Sequence, residues 1–221
     1  MSGSSAASTR RWLVSPAFDL GLCSGPALLA FVAALLLAPG AKLGLVGWLA
    51  LVVAVDVAHV YASLYRTYLD PVERAERPGL LTAVPLASLA GCSLLYAASP
   101  AGFWTVLAYL AVFHFVRQQV GFVALYRFFE GLPAHSLDAR VERGAVYALT
   151  LYPVLWWHAH LPRAFDWFLP GDFVGGLPAA LLPPAGALAA VVVAAHVVLR
   201  LRSRRWAPGR DLWLLVTGLC W

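Results

Sequence analysis

Apolar stretches of about twenty residues recur along this chain, separated by proline or glycine breakers and by arginines, and that recurrence leaves few folds open. A bilayer core about 30 Å thick asks for roughly 20 residues of helix per crossing. Backbone groups inside it have no water to bond with, so a spanning segment must satisfy them within itself. Hydropathy and breakers such as Pro39-Gly40, Asp70-Pro71, Pro78-Gly79, Ser99-Pro100 and Pro208-Gly209 predict spans over 17–38, 43–65, 79–98, 101–126, 144–161 and 177–199. A seventh begins at Leu212 and stops at Trp221. Ten residues of helix reach only about 15 Å, so the chain is expected to be a fragment that ends inside its last span. The expected fold class is therefore all-α: a polytopic transmembrane helix bundle of six full spans plus a truncated seventh. It would be one membrane domain over 1–221, with 1–16 as a cytoplasmic tail.

Composition agrees. The chain is 61% hydrophobic and 12% charged, whereas soluble domains average roughly 45–50% apolar and about 25% charged. The surplus is expected on lipid-facing surface. A net charge of +5 and a pI near 9.4 could point to nucleic acid, but the cations sit at the ends of the spans. Lys42 and Arg163 fall in odd-numbered connectors. The N-terminal tail and the even-numbered connectors hold thirteen arginines, from Arg10 and Arg11 through Arg127 to Arg200, Arg202, Arg204, Arg205 and Arg210. That asymmetry predicts a cytoplasmic N-terminus in an inner, multi-pass membrane location. It makes the Arg200–Arg205 run an attraction for inner-leaflet lipid, with no nucleic-acid partner expected. The apolar stretch after Arg10-Arg11 runs past the roughly 7–15 residues of a cleaved signal, so a retained first helix is expected. Cys23, Cys92 and Cys220 lie in apolar stretches without CxxC spacing, which predicts buried, reduced thiols.

Ionisable residues within spans are costly and mark function. In the second span, Asp56, His59, Ser63 and Arg66 follow spacings of three, four and three and share a face. In the fourth, His114, Arg117, Gln118 and Gly121 do the same. At 1.5 Å per residue, Asp56 and Arg117 both lie about 14 Å from the basic end, His59 about 9 Å and Gln118 about 12 Å. A carboxylate and an imidazole at i and i+3 suit a divalent metal, like the Glu-x-x-His half-sites of helix-bundle di-iron proteins. The facing helix offers no carboxylate, and Arg117 there favours an anion or an ion pair. Three readings follow. One is a metal site with Asp56, His59 and His114 as ligands and Arg117 and Gln118 orienting the substrate. The second is a transporter or lipid-binding protein whose Arg117 meets an anionic headgroup. The third is a structural bundle with an Asp56–Arg117 ion pair and no site.

Other polar residues read more simply. Ser136 is expected to cap the fifth span's helix, with His135 solvent-exposed beside it. His158 and His160, two apart, should point to different sides of their helix, near the membrane interface with Trp156 and Trp157. His196 should lie at the interface under the basic connector. Pro183-Pro184 should kink the sixth span or start its helix.

Asp56-x-x-His59, His114-x-x-Arg117-Gln118 and His158-x-His160 resemble the histidine-bearing helix ends of multispanning membrane oxygenases, of the fatty-acid desaturase/hydroxylase or bacterial carotene-cleaving type. The HxxxH and HxxHH boxes of the first and the His-Gly motif of the second are absent, so no catalytic residue carries over. The resemblance implies a metal-dependent oxidoreductase acting on a lipophilic small molecule among membrane lipids, with iron or another divalent metal as cofactor.

Overall fold

A computed structural model describes residues 10–37, 44–162, 169–203 and 207–221, the side chain of Asp56 excepted. The Pro39-Gly40 turn, Lys42, Arg163, Arg204 and Arg205 lie outside the described residues. Every element among the described residues is helical: α1 (Pro16–Leu36), α2 (Leu45–Arg66), α3 (Pro71–Glu76), α4 (Pro78–Ala98), α5 (Pro100–Phe129), α6 (Leu137–Ala159), α7 (Ala179–Ser203) and α8 (Pro208–Cys220). Local chemistry sets the starts. Proline occupies the first helical position of α1, α3, α4 and α8, where its missing N–H costs nothing. Ser15, Asp70 and Ser136 cap α1, α3 and α6 by accepting from backbone N–H groups of the first turn. The expected Ser136 cap is therefore present, and His135 is exposed as expected. Pro183-Pro184 fall in the first turn of the regular α-helix Leu182–Ser203, so they start that helix.

Helices α1, α2, α4, α5 and α7 are long and apolar enough to cross a membrane. α6 has the length, about 35 Å at 1.5 Å per residue, but its first two turns carry Asp138, Arg140, Glu142 and Arg143. It begins well before the expected residue 144, because the Ser136 cap and amphipathic patterning extend the helix beyond its apolar stretch. Large apolar side chains lie open over the surface, among them Leu29, Leu36, Val46, Leu89, Leu94 and Leu188 at 66–81% exposure. A water-soluble protein does not sustain such an area. Membrane association follows from these helices and this surface. It also corrects the cysteine expectation: all three thiols are free, but Cys92 and Cys220 are exposed and Cys23 is half-buried. Their apolar neighbourhoods are the protein's outer face.

The described residues form two compact units. One spans 37–103 and contains α2, α3 and α4; within it Tyr68 donates to the Leu81 carbonyl at 2.6 Å. The other combines 1–36 with 104–221 and holds α1, most of α5, and α6 to α8. Its core joins Val120 and Val123 of α5, Val146 of α6 and Leu214 of α8, with Tyr147, Leu149 and Trp213 packed around them. α6 and α7 are its most extensive helix pair. Small residues let them close: a methyl group on Gly186 would meet the Tyr152 ring at 3.1 Å, and one on Gly144 would meet Val192 at 3.2 Å. The N-terminal strap is held by Asp19, 1% exposed, whose carboxylate accepts from the Leu13 and Val14 amides and from the Tyr126 hydroxyl.

Candidate functional site

Four helix ends of the larger unit converge on one polar pocket at its arginine-rich end. α5 contributes Arg127 and is followed by Glu130; α6 supplies Glu142 from its second turn, α7 supplies His196 and Arg200, and α8 supplies Arg210. Arg127, Glu142 and Arg210 are 7%, 1% and 1% exposed. Glu142 Oε2 accepts from Arg127 Nη1 at 2.7 Å and from Arg210 Nη1 at 3.1 Å. Arg210 Nη2 lies 3.1 Å from Glu130 Oε2. Arg127 Nη2 donates to the Pro133 carbonyl and to Ser136 Oγ, which ties the cap of α6 into the same network. Alongside, Arg200 holds Asp211 through two bonds of 2.8 and 2.6 Å, and Asp211 Oδ2 also accepts from the Ala207 amide.

Carboxylate and guanidinium groups this deep must be paired, because an isolated charge out of water is heavily penalised. The pairing here leaves buried atoms over: among the described residues, Arg127 Nε, Glu130 Oε1, Glu142 Oε1 and Arg210 Nε have no partner. Burial pushes the Glu130 carboxyl above its ordinary value of 4.5; Arg210 opposes the shift and Glu142 adds to it. The network borders a cavity of about 300 Å³ lined by Arg127, Glu130, Ser136, Glu142, His196, Arg200 and Arg210. A second cavity, about 610 Å³, adjoins it along α6, α7 and α8. Its walls are Ala145, Leu149, Val193, Val197, Leu214 and Leu215 with other apolar groups, and Asp211. Among the described residues, His196 and Arg200 alone line both.

The residues expected to form a metal site are divided between the two units. His59 lies on α2 of the smaller unit and is exposed; the Asp56 side chain is outside the described residues. His114, Arg117 and Gln118 lie on α5 of the larger unit, all exposed. Arg117 donates to the Tyr147 hydroxyl at 3.0 Å, which links α5 to α6. Among the described residues, no group of three or more His, Cys, Asp or Glu side chains is gathered to hold a metal.

His158 and His160 point to different sides, as their spacing requires: His158 is 8% exposed, while His160 is exposed and stacks on Trp156 with ring centroids 4.1 Å apart. His158 Nδ1 lies 2.7 Å from the Val154 carbonyl, which can only accept, so that nitrogen carries hydrogen. In the neutral ring Nε2 then accepts from the Tyr109 hydroxyl at 2.8 Å, and the Tyr109 oxygen accepts from the Val174 amide at 3.1 Å. Phe173 packs edge-on against Tyr109, Trp157 and His158.

Two sets of residues escaped the sequence reasoning. Gln119, next to Gln118, accepts from Thr217 Oγ1 at 3.0 Å and fastens α5 to α8. Arg127, Arg200 and Arg210 entered the reading only as topology charges. The overlooked signal is acidic: Glu130, Glu142 and Asp211 each sit within a turn or two of a helix end already rich in arginine. Compared with protein-family models, with curated proteins and with solved structures, the chain matches none.

Proposed function

We propose that this is a multi-pass inner-membrane protein that binds an amphipathic lipid, its polar head against the Arg127–Glu130–Glu142–Arg210 pocket and its chain in the groove between α6, α7 and α8. The observation that carries the reading is the junction: a charged cavity and a larger apolar one share His196 and Arg200 as common wall. Ligand pockets run roughly 300–1,000 Å³ and are mostly apolar with a few convergent polar groups, and this pair has that make-up. The arginine asymmetry assigns the pocket to the cytoplasmic boundary, where lipid heads sit. That orientation comes with six full spans, α6 being the one whose polar first turns enter the pocket.

Native mass spectrometry of detergent-purified protein tests the proposal. Wild-type protein should carry a stoichiometric amphiphile, and Val193→Trp, which fills the groove from α7, should lose it while still folding. An unchanged lipid complement in that variant would sink the reading.

A further inference from the structure

The head pocket is built from three arginines, and each already meets a carboxylate; among the described residues, the Nε atoms of Arg127 and Arg210 are the guanidinium donors left buried without a partner. Arg127 and Arg210 share Glu142, Arg210 also meets Glu130, and Arg200 is held along one edge by two bonds to Asp211. Asp138 lines the same cavity. Counted over both cavities, Arg127, Arg200 and Arg210 face Glu130, Asp138, Glu142 and Asp211: three formal positive charges against four negative. A phosphate or carboxylate head entering here would have to break a pair that burial has made expensive to break.

The seam between the cavities is different. His196 lies there, half-buried on α7, and its ring has no hydrogen-bond partner among the described residues. The charges that act on it, Glu142, Arg200, Asp211 and Arg210, are two of each sign. A neutral imidazole offers one donor and one acceptor. A hydroxyl group offers the same two functions, so the two match at the point where a ligand's head joins its chain.

Resting on the amphiphile-binding reading, we infer that the ligand is an uncharged, hydroxyl-bearing amphiphile, a long-chain alcohol or glyceride, and that His196 is the specificity residue that hydrogen-bonds its hydroxyl. The apolar groove supplies affinity that any chain would enjoy. His196 and the self-compensated charges supply the discrimination, because a hydroxyl is recognised there without disturbing any ion pair.

The test is delipidated full-length chain in neutral detergent, with hexadecanol, palmitate and hexadecyl phosphate as matched probes followed by thermal-shift titration. Hexadecanol should protect the wild-type protein, with palmitate and hexadecyl phosphate at least about tenfold weaker. His196→Phe should lose about tenfold in hexadecanol affinity, the size of one well-placed hydrogen bond. His196→Gln, which keeps a donor and an acceptor, should retain most of it and serves if the Phe variant does not fold. Either anionic probe matching hexadecanol overturns the inference, as does unchanged hexadecanol binding in His196→Phe or lost binding in His196→Gln. Failure of all three probes, together with a lipid complement indifferent to Val193→Trp, takes the amphiphile site down as well.

Discussion

At the scale of single residues, Glu142 is the carboxylate at the arginine-rich end of the larger unit that meets two buried guanidinium groups. Glu142→Gln therefore leaves Arg127 without its carboxylate and Arg210 with Glu130 alone. Breaking a buried pair this way costs about 3–5 kcal/mol, and thermal unfolding in detergent should show a correspondingly large loss of stability. Glu130 predicts a pH effect of opposite sense to most carboxylates. Its folded-state value is raised, chiefly by burial, so the folded protein holds that proton more tightly than the unfolded chain does. The contribution to stability is complete below the ordinary value of 4.5 and is lost as pH rises through the raised one. Unfolding followed across that window should show wild-type stability falling with pH, and a flatter profile for Glu130→Gln. On the opposite side of the same unit, Tyr109→Phe removes a bond to His158 and another from Val174. At about 1 kcal/mol net per bond, the Val174 amide should exchange with deuterium some tenfold or more faster.

At the scale of elements, close approach decides which helices pair. Gly209, in the first turn of α8, has no room for a side chain: a methyl group there would lie 2.6 Å from the Tyr126 ring and 2.9 Å from the Arg11 carbonyl oxygen. Gly209→Ala should therefore push α8 off α5 and the N-terminal strap, at about 1–3 kcal/mol, visible as a lowered midpoint. The same shift moves Arg210 and Asp211, the next two residues, so the head pocket should loosen along with the helix contact. Gly144 and Gly186 act alike between α6 and α7, the two helices that form one wall of the groove. In the described bundle, small residues position the polar site as much as the polar residues do.

For the whole molecule, the arginine asymmetry makes a topological prediction that labelling can check. With Cys23, Cys92 and Cys220 replaced, a single cysteine at Ser99 should react with a membrane-impermeant maleimide in intact cells. One at Arg74 should react only after the membrane is opened. The reverse pattern would invert the topology and move the head pocket to the outer face.

Much of this architecture was legible in the chain. Lipid-facing helices advertise themselves because hydropathy and helix length are properties of a contiguous segment. Turn prolines and the Ser136 cap act within a few residues of themselves, and the alternate facing of His158 and His160 follows from helix periodicity. The site was less legible. Asp56, His59, His114, Arg117 and Gln118 share helical faces in sequence, but sharing a face on one helix says nothing of which other helix it meets; Arg117 meets Tyr147. Arg127, Glu142 and Arg210 look like ordinary boundary charges one at a time. They become a buried network only when helix ends far apart in sequence converge, Glu142 and Arg210 being 68 positions apart. The sequence alone determined that this chain makes membrane-length helices and which ends are basic, because those depend on local composition. Tertiary structure decided which charges are paired, which cavity they border and that His196 stands at its seam, because pairing and cavity shape arise only from contacts between segments.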